Sequence, residues 1–207
     1  MTRPGYYRLI LINLALIFLL GSFALSGQEN AKRAPKASFG ELLSDGVYRN
    51  SFFGFSFKVR YGWVDRSEQT RGVQDNSSTG QVLLTVFEHP PEVKGDGINS
   101  AVIFAAENLS AYPDVKTAAD YFESLTEAVT SQGFKVVHEP YQASVGGKAL
   151  VRSDFSKEIN TFTMYQSSLV MLSKGYAVSF TFLGSSEDEV EHLIERLSFA
   201  SSTGVRH

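Results

Sequence analysis

The sequence contains no cysteine. That excludes a disulfide framework, a thiolate metal site and a lipid-modified cysteine at the end of an export signal. Positive charge is not in surplus either: Lys and Arg number 19 against 22 Asp and Glu, a net −3. Without residues 1–26, which hold Arg3 and Arg8, the balance is 17 against 22, or −5. Such a surface offers no footprint for nucleic acid and little attraction for anionic lipid. Repeats and low-complexity tracts are also missing, so one continuous domain has to carry whatever the chain does.

Complete catalytic motifs are absent too. Gly54-Phe55-Ser56-Phe57 begins like a serine nucleophile elbow but lacks the closing glycine, and Ser56 falls inside a strand pattern. Gly146-Gly147-Lys148 lacks the spacing and the Ser/Thr of a phosphate loop, so it reads as a turn. The histidines His89, His138, His192 and His207 show no metal spacing. His138 and Glu139 are neighbours on a strand and face opposite ways. Asp75, Asp96 and Asp114 lie in separate loops, unlike the clustered acids of a calcium loop. Asn76-Ser77-Ser78 and Asn108-Leu109-Ser110 fit the glycosylation pattern, which matters only in a eukaryotic secretory route. No catalytic residue, metal ligand or cofactor site is expected.

What is present is a hydrophobic content of 43% with 13% aromatic residues over 207 positions. That suffices for one sizeable core and is short of two domains. Arg3 and Arg8 precede an apolar run over 9–20, and Ala24-Leu25-Ser26 supplies small residues where a signal peptidase cuts. Residues 1–26 therefore read as a signal peptide or, uncut, as an N-terminal anchor. The apolar run is short of the ~20 residues of a spanning helix, which favours cleavage. Either reading places the rest of the chain outside the cytoplasm, in contact with membrane only through that segment. Residues 27–44 read as a flexible linker, 45–200 as the folded domain and 201–207 as a frayed tail.

The domain opens on 48–63, an aromatic stretch read as one buried strand with Phe53, Phe55, Phe57 and Val59 on a shared face. Gly54 suggests a bulge within it. Trp63, the only tryptophan, reads as core. Residues 65–80 are polar and read as a mobile surface loop. Strands are expected over 81–88 and over 99–106, the latter central because it is apolar on both faces. Pro113-Asp114 opens a helix that ends at Gln132-Gly133. Strands follow over 134–139, stopped by Pro140, and over 148–155. Residues 161–183 form a hairpin turning at Lys174-Gly175, with Leu169 opposite Phe180 and Met171 opposite Val178. Ser186 and Glu189 form a capping box for a last helix whose stripe is Val190, Leu193, Ile194 and Leu197. The order implies an α+β fold, a mostly antiparallel sheet with helices packed on it.

Tyr48-Arg49-Asn50, Phe53-Gly54-Phe55-Ser56-Phe57, Gly62-Trp63, Gly146-Gly147, Lys174-Gly175-Tyr176 and Leu197-Ser198-Phe199 together resemble the Mog-one/PsbP-like α/β/α sandwich superfamily. The resemblance spans roughly 47–199. It departs before the tryptophan, where relatives commonly carry proline and this chain has Arg60-Tyr61. The resemblance implies a non-enzymatic binding or assembly module. Its members use different faces for different partners, so no ligand residues carry over.

Two functional expectations follow. An accessory, protein-interaction domain would use its long loops, with Asp65, Arg66, Glu68, Arg71, Asp75 and Asn76 as contacts to an unidentified protein partner. A small-ligand binder or hydrolase would instead need a pocket assembled from distant residues, with Trp63, Tyr112, His138 and Tyr141 as its candidate lining.

Overall fold

The computed structural model describes residues 41–42, 45–73, 80–93, 95 and 97–200. Its elements are β1 (Glu41–Leu42), β2 (Val47–Asn50), β3 (Phe55–Lys58), β4 (Val64–Asp65), α1 (Ser67–Val73), β5 (Gly80–Phe87) and β6 (Ala101–Asn108). Then come α2 (Ala118–Ser131), β7 (Lys135–Val145), β8 (Lys148–Ile159), β9 (Phe162–Ser173), β10 (Tyr176–Gly184), α3 (Glu187–Ile194) and β11 (Leu197–Phe199). A seven-stranded antiparallel sheet runs in the order β4-β5-β6-β10-β9-β8-β7, and a four-stranded sheet in the order β1-β2-β3-β11.

Both faces of the large sheet are buried, which is why its inner strands read as nearly unbroken apolar runs. Ala101, Ile103 and Ala105 of β6 meet Tyr121, Phe122, Leu125 and Val129 of α2. Val102 and Phe104 face the other way, onto Phe55, Phe57 and Leu197 of the small sheet and Val190, Leu193 and Ile194 of α3. The layers are thus helix, sheet, and a second outer layer shared by a helix and a small sheet. This is the α+β sandwich expected from the element order.

The β9–β10 hairpin forms as read: Ser173 lies opposite Tyr176, Met171 opposite Val178 and Leu169 opposite Phe180. Lys174 and Gly175 have φ of 52° and 80°, the paired positive values that suit a two-residue turn to the twist of its strands. β6 is third in the large sheet; β10 is central.

Several expectations are corrected. Residues 48–63 are two strands, because the Asn50 side chain accepts a bond from Phe53 N (2.9 Å) and Gly54 N donates to Asn50 O (2.9 Å). Gly54, at φ 74°, belongs to that turn rather than to a bulge. Glu41 and Leu42 pair with Arg49 and Tyr48, which places them in the domain rather than in the linker. Residues 67–73 are helical rather than loop. Asp65 accepts from Ser67 N (2.8 Å), an acidic side chain bonding an orphan N–H at the helix start.

The helix expected from Pro113 begins later, at Ala118. Thr117 caps it, and Asp120 closes a full capping box. Pro140 does not stop β7. That strand is the sheet's outer edge, where a missing N–H costs no ladder bond, and its register shifts on both sides of His138. Ser186 caps α3 as expected, bonding Glu189 N (3.1 Å). The Glu189 carboxylate, however, accepts from Ser185 N and Oγ, one residue before the cap. Leu197 belongs to β11, which pairs with β3, and not to the helix.

Candidate functional site

The densest polar cluster in the described residues sits on the α3 side of the large sheet, at its β7 edge. Asp154 is 8% exposed and stands opposite Ser167 of β9 and His138 of β7. Its Oδ1 accepts from Arg152 Nε (2.7 Å) and from Ser167 Oγ. Its Oδ2 accepts from Tyr141 Oη (2.9 Å) and from His138 Nδ1 (3.2 Å). Arg152 also reaches Ser167 Oγ (3.0 Å) and the Glu191 carboxylate of α3. Residues 152 and 154 share a face by the two-residue period of β8. The register shifts in β7 bring Val137, His138 and Tyr141 to one cleft wall, as bulges do when they re-aim side chains.

The charges are mutually stabilising. Burial opposes ionisation of Asp154, yet the bonds from Ser167 and Arg152, the Arg152 charge and the Tyr141 hydroxyl hold its carboxyl below the usual range. Burial also works against the Arg152 charge, and its bonds to Glu191 and Asp154 overcome this and hold it on. Burial and the bond to Asp154 push the Tyr141 phenol up to about 12.

Histidine, aspartate and serine meet here, but not in the order of a nucleophilic triad. Ser167 donates to Asp154 and not to the imidazole, so the base that would activate it is on the wrong side. The cleft above the cluster has a volume of about 120 Å³ and is lined also by Tyr165, Glu187 and Val190. A wider hollow of about 330 Å³ lies by the start of α2, and its polar residues Lys116, Thr117, Gln142 and Lys148 are exposed side chains.

Of the four residues expected to line a pocket, the structure brings two together, His138 and Tyr141. Tyr112 is buried in the α2-side core. Trp63 packs against the opposite core with the Arg60 guanidinium 5.8 Å from its ring centre. The residues missed from sequence are Asp154, Arg152, Ser167 and Glu191. Two opposite charges at i and i+2, set between Leu150-Val151 and Phe155 in the buried middle of β8, were the available signal. Among the loop candidates, Asp65 caps α1, and Arg66 bridges to Glu92 (3.2 Å). Glu68 and Arg71 lie on α1; Asp75 and Asn76 fall outside the described residues. No group of three metal-ligating side chains gathers among the described residues, and no helix there is long and apolar enough to cross a membrane.

Asp154→Asn preserves the shape and removes the charge that four donors share. We expect a loss of about 2 kcal/mol at pH 7, the scale of a hydrogen bond to a charged group. Because the folded carboxyl titrates below its ordinary 3.8, wild type loses this contribution as pH falls through that lower value. Urea unfolding at pH 7 and pH 3 should show the two proteins converging in acid; a constant gap would mean that charge is not its source.

No family model matches the chain, and no curated protein matches it. Among solved structures it is similar to cyanobacterial PsbP (CyanoP) from Synechocystis sp. PCC 6803, at 15% identity and a TM-score of 0.45, over 82% of this chain and 98% of that one. It is also similar to LpqN of Mycobacterium tuberculosis, described as involved in cell envelope biogenesis, at 12% identity and a TM-score of 0.41, over 70% of this chain and 83% of that one. These likenesses concern the fold alone and bear on no residue of the site.

Proposed function

We propose that the chain is an extracytoplasmic accessory domain that holds a protein partner and performs no chemistry. One observation carries this: the site's only deeply placed carboxylate, Asp154, is bound by four internal donors. A group saturated in this way fixes local structure and has no lone pair left to act as a base. Its cleft, at about 120 Å³, is below the roughly 300 Å³ at which small-molecule pockets begin. The apolar run over 9–20, preceded by Arg3 and Arg8, supports export.

Two measurements test the reading. Purified protein and His138→Ala should be indistinguishable against ester, phosphoester, glycoside and peptide substrates. Turnover that disappears in His138→Ala would overturn the non-catalytic reading. Crosslinking in the exported fraction should yield one stoichiometric protein partner. Fractionation of the full chain beside one lacking residues 1–26 separates a cleaved signal from a retained anchor.

A further inference from the structure

The β7 edge carries an unusual combination of features. Val137 and Tyr141 are each 40% exposed, and Phe162, at the start of β9, is 44% exposed. Three of the five exposed large hydrophobic side chains among the described residues thus lie on or near one margin of the sheet. An exposed edge strand of this length ordinarily invites pairing with another strand. Here Pro140 and the two register shifts in β7 interrupt the row of backbone groups, so strand addition along it is blocked. Recognition at this edge therefore has to work through side chains.

The cleft beside Val137, His138 and Tyr141 holds about 120 Å³, the space of about four waters or of one extended side chain. Its lining has one guanidinium, Arg152, against three carboxylates, Asp154, Glu187 and Glu191. The Arg152 charge is already shared between Asp154 and Glu191. Glu187 forms no ion pair among the described residues, and the surplus charge is therefore negative. The Tyr141 ring already faces the Arg152 guanidinium (6.0 Å to its centre); Tyr165 adds an aromatic wall, which attracts a cation further.

We infer that the cleft between β7 and α3 receives one basic side chain, lysine or arginine, presented by a segment of a partner protein. The inference rests on the partner-binding reading above and specifies its contact. The stem of the incoming side chain would lie along Val137 and Val190, and its charged head would meet Glu187 and the Tyr165 ring.

The full chain should be titrated with n-butylguanidinium while backbone amide signals are followed by NMR, with n-butanol and butyrate as size-matched probes at constant ionic strength. We expect saturable shifts at Val137, His138, Tyr141 and Glu187 with the cation only. Glu187→Gln should weaken them about threefold, the loss of one exposed ion pair. Saturation by butanol or butyrate at equal affinity, no saturation by the cation, or indifference to Glu187→Gln would each overturn the proposal. If the titration fails while crosslinking still recovers a stoichiometric partner, this cleft is excluded and the partner-binding reading stands. If both fail, the reading falls with it.

Discussion

Phe104→Ala should lower stability by about 3–5 kcal/mol, the range for removing a fully buried aromatic ring. Phe104 is inaccessible to solvent and its ring is met by five others. The centroid distances are 5.0 Å to Phe180, 5.2 Å to Phe57, 5.7 Å to Phe55 and Phe182, and 6.5 Å to Tyr48. The five come from β2, β3 and β10, so this one side chain joins the small sheet to the large one. Several of the contacts are edge-to-face, a geometry that contributes beyond area burial. Phe104→Leu keeps much of the volume and should cost less than half as much. Tyr61→Ala, at a fully exposed ring, should leave stability within about 0.5 kcal/mol of wild type. Urea unfolding midpoints with unchanged slopes would measure all three. A Phe104→Ala protein within 1 kcal/mol of wild type would show that the two sheets are joined elsewhere.

Glu107→Gln should have the opposite sign and should depend on pH. Glu107 is 2% exposed, takes one bond from Tyr121 Oη (3.2 Å) and has an Oε2 without a partner among the described residues. Burial pushes its carboxyl up to about 8, against the opposing effect of the Tyr121 bond. Its partner Tyr121 is an uncharged phenol, whose own ionisation is pushed well up by burial and by Glu107. From pH 4.5 to about 8 the unfolded chain carries this group ionised and the folded chain carries it neutral. Folding then takes up a proton, so stability falls by roughly 1.4 kcal/mol per pH unit over that window. The glutamine variant has no such linkage. The two proteins should be close at pH 5, and the variant should exceed wild type by about 3 kcal/mol at pH 7.5. Parallel stability curves across this range would mean that Glu107 is not held neutral.

The hairpin at Lys174-Gly175 was readable to the residue because its two determinants are local: a two-residue turn and apolar alternation on both sides. The opening aromatic stretch was misread for the same kind of reason. Phe53, Phe55 and Phe57 keep a period of two, although the chain turns between Asn50 and Phe55. The period survives the turn, which is marked instead by the Asn50 side-chain bond to Phe53 N and by Gly54 at positive φ. Pro140 misled because its effect depends on whether the strand has one neighbour or two, a property of the assembled sheet. The site was half legible. His138 and Tyr141 flank the proline and invite attention, whereas Asp154 and Ser167 become their neighbours only through the pairing of three strands. Glu191 arrives from a helix that follows all of them.

The small sheet takes its final strand from the far end of the chain. β11 pairs with β3, and beside it Arg196 Nε bonds Lys58 O, 138 residues away in sequence (2.6 Å). A ribosome or a translocation channel releases the N-terminal end first. The β2–β3 hairpin must therefore wait, with Phe55 and Phe57 uncovered by β11, until almost the whole domain has emerged. Closure entropy for so long a loop makes this step late and slow. The small sheet is therefore completed last, when residues 197–199 reach β3.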